Sequence, residues 1–303
     1  MKKSPNKGIY YALATALISG VSIFLNKYAV DAVKPPLYFT AIKNLSVGFL
    51  IAAGILSTGK WKELKTLKKK ELLYLLSVGV IGGSIPFYLY FTGLSQIPAI
   101  NGALIHKTLV FWVAIMALPF LKERMPKAQI LGVFLLFAGN VTIGGFKGFQ
   151  FSKGELLVVS ATILWAGENI LAKKVLSFVP SDIVTLFRMG LGSLILVMAS
   201  LLAIPNTVSK TLTLEPTQIL WVLITAVLLL GYVLSWYKAL ALAPATTVAS
   251  VLVSSTLVTN VLSAVFVTHT WNIALTAKEL LMLVGVAIIV LAEKRRNLQI
   301  AVN

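Results

Sequence analysis

Six polar or ionisable residues stand deep inside apolar runs of this sequence: Lys43, His106, Lys107, Glu168, Asn169 and Arg188. A charged side chain in hydrocarbon costs at least about 2.5–3.5 kcal/mol, so each deep charge needs water or a partner and is a functional candidate. The set holds more positive than negative charge. It therefore predicts a buried site that attracts the anionic group of a small molecule, either a carboxylate or a phosphate.

The neighbours His106 and Lys107 fall about nine residues into the fourth apolar run, roughly 13 Å along a helix at 1.5 Å per residue. That depth is close to the centre of a bilayer. Because a lysine there needs a partner or a wet cavity, we predict that Lys107 lines a substrate cavity. His106 is either a second cavity residue or a neutral histidine that bonds to a hydroxyl on a neighbouring helix.

Glu168 is interpreted as the one clearly buried carboxylate of the chain. It is the natural partner for a buried lysine or arginine, so it could form a static ion pair, balance charge or carry a coupling proton. Asn169 beside it could orient a substrate. Trp165, one helical turn earlier, could contact an apolar part of the substrate.

No motif of a covalent or metal-dependent enzyme accompanies these residues. The sequence has no Gly-x-Ser-x-Gly elbow, no His-Glu-x-x-His motif and no Gly-x-x-x-x-Gly-Lys-Ser/Thr phosphate loop. Its two histidines, His106 and His269, fall in different halves. We therefore predict no enzymatic activity, no cofactor and no metal. Cysteine is absent, which excludes disulfides and thiol chemistry.

The elements that position these residues are predicted to be membrane-spanning helices. The 303 residues are 58% hydrophobic and only 12% charged, against roughly 25% charged in soluble proteins. A span needs roughly 20 apolar residues. The candidates are 8–30, 36–57, 72–94, 98–121, 128–146, 154–176, 181–204, 217–240, 245–268 and 277–293. The predicted fold is therefore an all-α membrane protein of ten transmembrane helices.

The net charge of +17 is distributed unevenly between the loops. If the N-terminus is cytoplasmic, eighteen lysines and arginines face inside and five face outside, with four more within spans. This bias follows the positive-inside rule and places both termini in the cytoplasm, in the plasma (cell inner) membrane. It indicates contact with anionic headgroups of the lipid bilayer rather than with nucleic acid. Because the small residues Ala12 to Ala14 lie inside the first apolar run, that run is predicted to be an uncleaved helix.

The chain contains two copies of one five-helix unit. Ala14, Gly20 and Lys27 match Ala161, Gly167 and Lys174 at an offset of 147 (161 minus 14). Lys43 matches Arg188 at an offset of 145 residues, and Pro98 matches Pro244 at an offset of 146 residues. We divide the chain into repeats 1–146 and 147–303. Because five crossings are an odd number, the second copy is inverted relative to the first, as in many secondary transporters.

These matched residues resemble the drug/metabolite transporter superfamily, specifically its EamA-type ten-helix members. The resemblance covers essentially the whole chain. It is carried by Tyr90-Phe91-Thr92-Gly93-Leu94 with Pro98-Ala99, Leu121-Lys122-Glu123-Arg124, Gln129-Ile130-Leu131-Gly132 with Gly139, and Trp236-Tyr237-Lys238-Ala239-Leu240 with Pro244-Ala245. Two departures stand out. His269 replaces the glutamate that the second copy usually carries, and His106-Lys107-Thr108 lies where the fourth helix often has a proline.

The predicted function is secondary-active transport of a small carboxylate-bearing or zwitterionic metabolite, amino-acid-like in character, by alternating access. Export is the favoured direction, and protons are a candidate coupling ion. Substrate binding is assigned to Lys43, His106, Lys107, Trp165, Asn169 and Arg188, and coupling or charge balance to Glu168. The alternatives are a flippase for a lipid-linked substrate and a channel or scaffold. The sequence leaves the oligomeric state open.

Overall fold

A computed structural model describes residues 5–142 and 148–302. These residues contain helices and no strand. Ten long helices account for most of them: α1 (Asn6–Ala32), α2 (Pro36–Ser57), α3 (Lys69–Leu94), α4 (Asn101–Leu121), α5 (Lys127–Val141), α6 (Lys153–Val175), α7 (Ser181–Ala203), α8 (Pro216–Leu242), α9 (Ala245–Thr268) and α10 (Ile273–Arg296). Within the described residues, nine are long and apolar enough to cross a membrane, and α5 is a shorter apolar helix. The predicted fold class is confirmed.

The predicted spans agree with these helices to within a few residues. The predicted range 36–57 coincides with α2, and 245–268 coincides with α9. The end of the fifth predicted span, 143–146, lies outside the described residues. Two short helices that the sequence did not predict, Trp61–Leu64 and Thr207–Leu212, lie in connecting segments.

Prolines set several of the helix starts. Pro98 and Pro244 cap the helical segments Ala99–Lys107 and Ala245–Val253, which lead into α4 and begin α9, as the repeat predicts. Proline is favoured there because its fixed φ suits a helix start and its missing N–H removes no helical bond. Pro86 acts differently. It follows an interruption of α3 at Ser84, whose φ and ψ are −126° and −76°.

The helices α4 and α9 are broken by the same turn at equivalent positions. Thr108 and Ser254, which are 146 residues apart, have φ near −63° and ψ near −10°. Each hydroxyl donates to the carbonyl three residues earlier, at 2.6 Å. The duplication therefore extends to the local backbone geometry, and each helix consists of two segments joined at mid-membrane.

Two π-helical turns account for the two places where the offset between repeats increases along the chain. One occupies Phe187–Leu191 in α7, and the other occupies Ala264–Thr268 in α9. A π-turn accommodates one extra residue within a helix. The offset rises from 145 to 146 across the first, and from 146 to 147 across the second. The left-handed residues Lys122 and His269 are 147 apart, so the structure aligns His269 with Lys122 and not with Glu123.

The repeats meet about a pseudo-twofold axis between α5 and α10. A Cβ at Gly132 would lie 2.7 Å from the Gly285 carbonyl oxygen, and one at Gly139 would lie 3.4 Å from the Lys278 carbonyl oxygen. At the offset of 146, Gly132 corresponds to Lys278 and Gly139 corresponds to Gly285. The two contacts are therefore related by exchange of the two helices. The large exposed side chains on the outer surface are apolar, such as Phe49 and Leu202 at 72% and 83% exposure, as expected of a surface that faces lipid.

Candidate functional site

A central cavity of about 90 Å³ lies between the two repeats. Six of the seven residues predicted to form the site line it: Lys43, His106, Trp165, Glu168, Asn169 and Arg188. They come from α2, α4, α6 and α7, and α1, α3 and α8 complete the wall. The repeat partners Lys43 and Arg188 therefore face one cavity from opposite halves.

Lys43 is held by an amide and two aromatic rings. Its Nζ donates to Asn26 Oδ1 at 3.0 Å. It also lies 4.0 Å from the ring centroid of Phe91 and 4.5 Å from that of Phe39. The side chain is only 1% exposed, so these contacts replace water around a buried ammonium group. An ammonium has three donors, so Lys43 can still bind an acceptor in the cavity.

Glu168 and Arg188 both lie against Gly82. A Cβ at Gly82 would lie 2.5 Å from Glu168 Cγ and 3.2 Å from Arg188 Nε. The Tyr237 hydroxyl donates to Glu168 Oε1, while Oε2 has no hydrogen-bond partner among the described residues. Arg188 Nε and Nη1 are likewise without partners there. The two side chains form no direct ion pair in the described structure, so each keeps atoms free for a ligand.

Close packing of α3 against α7 brings Arg188 to this position. A Cβ at Gly83 would lie 1.8 Å from the Arg188 carbonyl oxygen, and one at Gly192 would lie 2.5 Å from the Gly83 backbone. Such proximity requires glycine, because any side chain would force the helices apart. The glycine-rich stretch before Pro86 thus serves helix packing.

Trp165 anchors α6 to the interrupted part of α3. Its Nε1 donates to the Gly82 carbonyl at 3.0 Å. In a regular helix that carbonyl would accept from the N–H of residue 86, which is a proline. Pro86 therefore frees the acceptor that Trp165 uses.

The remaining lining residues are mostly aromatic. His106 packs edge-to-face on Tyr90 and Trp165, with centroids 5.4 and 5.3 Å apart. Its Nδ1 is buried without a hydrogen-bond partner among the described residues, so the predicted bond to a hydroxyl is not seen at this nitrogen. Asn169 Oδ1 accepts from Trp236 Nε1 at 3.0 Å, which fixes the orientation of both side chains.

Lys107 is not brought to the central cavity. It is 1% exposed but is not among the lining residues, and its Nζ has no hydrogen-bond partner in the described structure. The prediction that Lys107 lines the cavity is therefore corrected. Because adjacent helical residues point about 100° apart, only His106 of this pair faces the cavity.

Glu168 is also not the one buried carboxylate. Glu155, Glu279 and Glu293 are 4%, 6% and 1% exposed. Glu155 accepts from Asn101 Nδ2 at 2.7 Å, and Glu293 accepts from the Thr247 hydroxyl at 2.8 Å. The sequence interpretation was wrong because these carboxylates stand near predicted helix ends, where exposure is the usual expectation.

Several cavity residues were missed by sequence reasoning. Ser19, Ser22 and Asn26 of α1 line the cavity, and so does Tyr232 of α8, one helical turn before the lining residue Trp236. The first three follow helical spacing, with steps of three and four residues, and the last two are four apart. This periodicity, which places residues on one helix face, is the signal that could have found them.

A second, larger cavity has a volume of about 850 Å³. It opens at the end of the molecule where α1, α5 and α9 end and where α4 and α10 begin. In the orientation predicted from the positive-inside rule this end faces outside, so we name the cavity the outer vestibule. Its wall is rich in amides and hydroxyls, including Asn140, Thr259 and Asn260. Ile23 lines both the outer vestibule and the central cavity, so it stands between them.

Polar contacts link neighbouring elements at the opposite end. The Lys173 ammonium donates to the Leu240 and Ala243 carbonyls at 2.5 and 2.6 Å, which caps the C-terminus of α8. Lys60, in the loop after α2, pairs with Asp182 at the start of α7. Hydrogen bonding and the charge of Asp182 raise the pKa of Lys60 above its usual value.

Two segments of the chain, residues 6–145 and 152–291, match the model of the EamA-like transporter family. The uncharacterized transporter YyaM of Bacillus subtilis (strain 168) is 27% identical over 195 residues, which are 62% of this chain and 63% of that protein. An uncharacterized transporter of Archaeoglobus fulgidus is 29% identical over 210 residues, 66% of this chain and 71% of that protein. A solved crystal structure at 18% identity has the same fold, with a TM-score of 0.74 over 97% of this chain and 98% of the other. The chain belongs to the EamA-like transporter family, and it is a multi-pass membrane protein.

Proposed function

We propose that this transporter moves a small zwitterionic or carboxylate-bearing metabolite, amino-acid-like in character, by secondary-active alternating access. The observation that supports the substrate class most directly is the pair of cations, Lys43 and Arg188, that face one buried cavity. No catalytic step is proposed.

The anionic end of the substrate would bind between Lys43 and Arg188. Arg188 Nε and Nη1 have no hydrogen-bond partner among the described residues, and a guanidinium fork suits the two oxygens of a carboxylate. Lys43 adds a second positive charge and is positioned by Asn26. A charged hydrogen bond contributes about 1.5–3 kcal/mol, so two cations can offset much of the cost of dehydrating a carboxylate.

The amino end would bind to Glu168. Its Oε2 is buried and without a partner in the described structure, while Tyr237 holds Oε1. A substrate ammonium group could therefore donate to Oε2 while the substrate carboxylate contacts Arg188, which lies against the same glycine, Gly82. Asn169 and His106 would orient the ligand, and Trp165 would contact its apolar part.

Alternating access would arise from motion of the repeats, 1–146 and 147–303, about their pseudo-twofold axis. The matched turns at Thr108 and Ser254 divide one helix of each repeat at mid-membrane, where a change of angle would open one side and close the other. In the described conformation the outer vestibule is larger than the central cavity. Ile23 lines both, so it stands between the vestibule and the proposed position of the substrate. We keep export as the direction of net transport, with exchange for an external proton as the driving force.

Counterflow in proteoliposomes tests this proposal. Vesicles preloaded with one unlabelled amino acid should accumulate the same labelled amino acid transiently, with saturation. Organic acids should compete more strongly than amines of the same carbon skeleton. A channel would give linear flux without counterflow, and a lipid flippase would leave water-soluble probes outside. Preference for cations over zwitterions and acids would overturn the substrate assignment.

A further inference from the structure

The carboxyl group of Glu279, on α10, is buried without a hydrogen-bond partner. Glu279 is 6% exposed, and neither Oε1 nor Oε2 has a hydrogen-bond partner among the described residues. The two other buried carboxylates outside the central cavity, Glu155 and Glu293, are both hydrogen-bonded. An unpaired buried carboxylate is costly, so Glu279 calls for a ligand.

Glu279 lies behind the wall of the outer vestibule. Two neighbours of Glu279 on α10 line that cavity: Leu275, one turn earlier, and Lys278, the preceding residue. Asn260 of α9 lines it as well. The Asn260 side-chain amide is close enough to the Glu279 carboxyl to interact with it, but its Nδ2 is not in the geometry of a formed hydrogen bond with any described residue. Carboxyl and amide therefore face each other at the edge of a water-accessible space.

Few charged groups surround this pair. Lys278 precedes Glu279 on α10, and His269 lies beyond the end of α9. On α1, Lys27 lies 3.7 Å from Asp31, with which it is paired. The helix α5, which packs along α10, has no ionisable side chain between residues 128 and 141.

We propose that Glu279 is a proton-binding site on the outer vestibule, and that this proton is the one that drives transport. The coupling part of the proposal rests on the function proposed above; the binding of a proton does not. The proton enters from vestibule water and converts the carboxylate into a neutral carboxyl group, and it leaves by the reverse step.

The surroundings fit a proton better than they fit a metal ion. A metal ion needs several oxygen ligands around it, whereas a proton needs one carboxyl group. The amide of Asn260 suits both forms of the acid. Its N–H can donate to the carboxylate, and its carbonyl oxygen can accept from the protonated acid. Glu168 is a weaker candidate for this role, because the Tyr237 hydroxyl already donates to its Oε1, whereas both oxygens of Glu279 are without partners in the described structure.

Infrared difference spectroscopy of the purified full-length protein in nanodiscs tests proton binding directly. Raising the pH should remove a protonated-carboxyl C=O band in the wild type. Glu279→Gln should lack that band, Glu279→Asp should shift it, and Asp31→Asn, a matched change at the same end of the molecule, should leave it intact. A Glu279→Gln spectrum equal to that of the wild type would overturn the proposal. So would loss of the band on adding sodium ions at constant pH. If Glu279→Gln fails to fold, the shift of the C=O band in Glu279→Asp tests the same assignment, and an unshifted band would overturn it.

Proteoliposomes test coupling, with an amino acid that shows counterflow in the wild type as the probe. An acidic lumen should drive accumulation of that amino acid in the wild type. In Glu279→Gln this accumulation should fall at least tenfold, while counterflow should stay within twofold of the wild-type rate. Glu168→Gln should lose both. Undiminished accumulation in Glu279→Gln would overturn the coupling role, whereas absence of counterflow in the wild type would count against the proposed function instead.

Discussion

Trp165 donates its indole N–H to the backbone carbonyl of Gly82, at 3.0 Å. This carbonyl is available because the residue four positions later, Pro86, has no N–H to offer. One proline thus links the interruption of α3 to the position of an aromatic residue in the cavity wall. The bond also holds the glycine against which Glu168 and Arg188 both lie.

A double-mutant cycle tests this link. Trp165→Phe should lower the free energy of unfolding by about 1–3 kcal/mol, because it leaves a buried carbonyl without a donor. In a Pro86→Ala background, the new N–H can bond to Gly82 within the helix, so the same change should cost about 1 kcal/mol less. Thermal unfolding of the four proteins in detergent measures the coupling. Simple additivity would contradict the interpretation.

Gly82 should tolerate no larger residue. Gly82→Ala would place a Cβ 2.5 Å from Glu168 Cγ, so the carboxylate must move, at a cost of about 1–3 kcal/mol. We expect amino-acid counterflow to fall by about tenfold, which corresponds to about 1.4 kcal/mol. Gly167→Ala is the matched control, since a Cβ there meets no atom within 4 Å. Equal effects of the two alanines on counterflow would argue against a specific role for Gly82.

The cavity cations should contribute more to binding than lysines elsewhere in the membrane. Arg188→Gln and Lys43→Gln should each weaken binding of a carboxylate-bearing ligand by at least about tenfold, because each removes a charged hydrogen bond worth about 1.5–3 kcal/mol. Lys27→Gln is the control. Lys27 is 37% exposed and paired with Asp31, so it should change affinity little. Titration calorimetry compares the three, and a Lys27 effect as large as that of Arg188 would refute the assignment.

The proposed topology can be mapped without background, because the chain has no cysteine. Lys65→Cys and Ser177→Cys should react with a membrane-impermeant maleimide only from the cytoplasmic side. Lys210→Cys and Asn272→Cys should react from outside. Labelling of Lys65→Cys in intact cells would reverse the orientation, and with it the name of the outer vestibule.

Much of the architecture could be predicted because length and apolar composition determine a transmembrane helix almost alone. The duplication could be predicted because prolines and glycines recur at nearly constant offsets. The interruptions at Thr108 and Ser254 could not, since neither residue is a proline and the turn depends on local hydrogen bonding. The π-turns were visible only as unexplained changes of offset.

The lining of the central cavity was predicted in part. Lys43 and Arg188 were found because a charge in an apolar run is conspicuous, and their match between repeats places them on one cavity. Lys107 was misplaced because depth along a helix does not give the direction of a side chain. Asn26 and Glu279 were missed, one because it is uncharged and one because it stands near a helix end. Their importance depends on neighbours from distant parts of the chain.

The most direct test of the account is binding of matched ligands to the purified protein, followed by thermal shift. Each amino acid is compared with the carboxylic acid that lacks its amino group and the amine that lacks its carboxylate. A ligand at about 100 times its Kd stabilises a protein by about 2.7 kcal/mol, which a thermal shift resolves readily. The account predicts that at least one amino acid stabilises the protein most, its carboxylic acid less and its amine least, and that Arg188→Gln abolishes this order. Stabilisation by the amines alone, unchanged in Arg188→Gln, would contradict it.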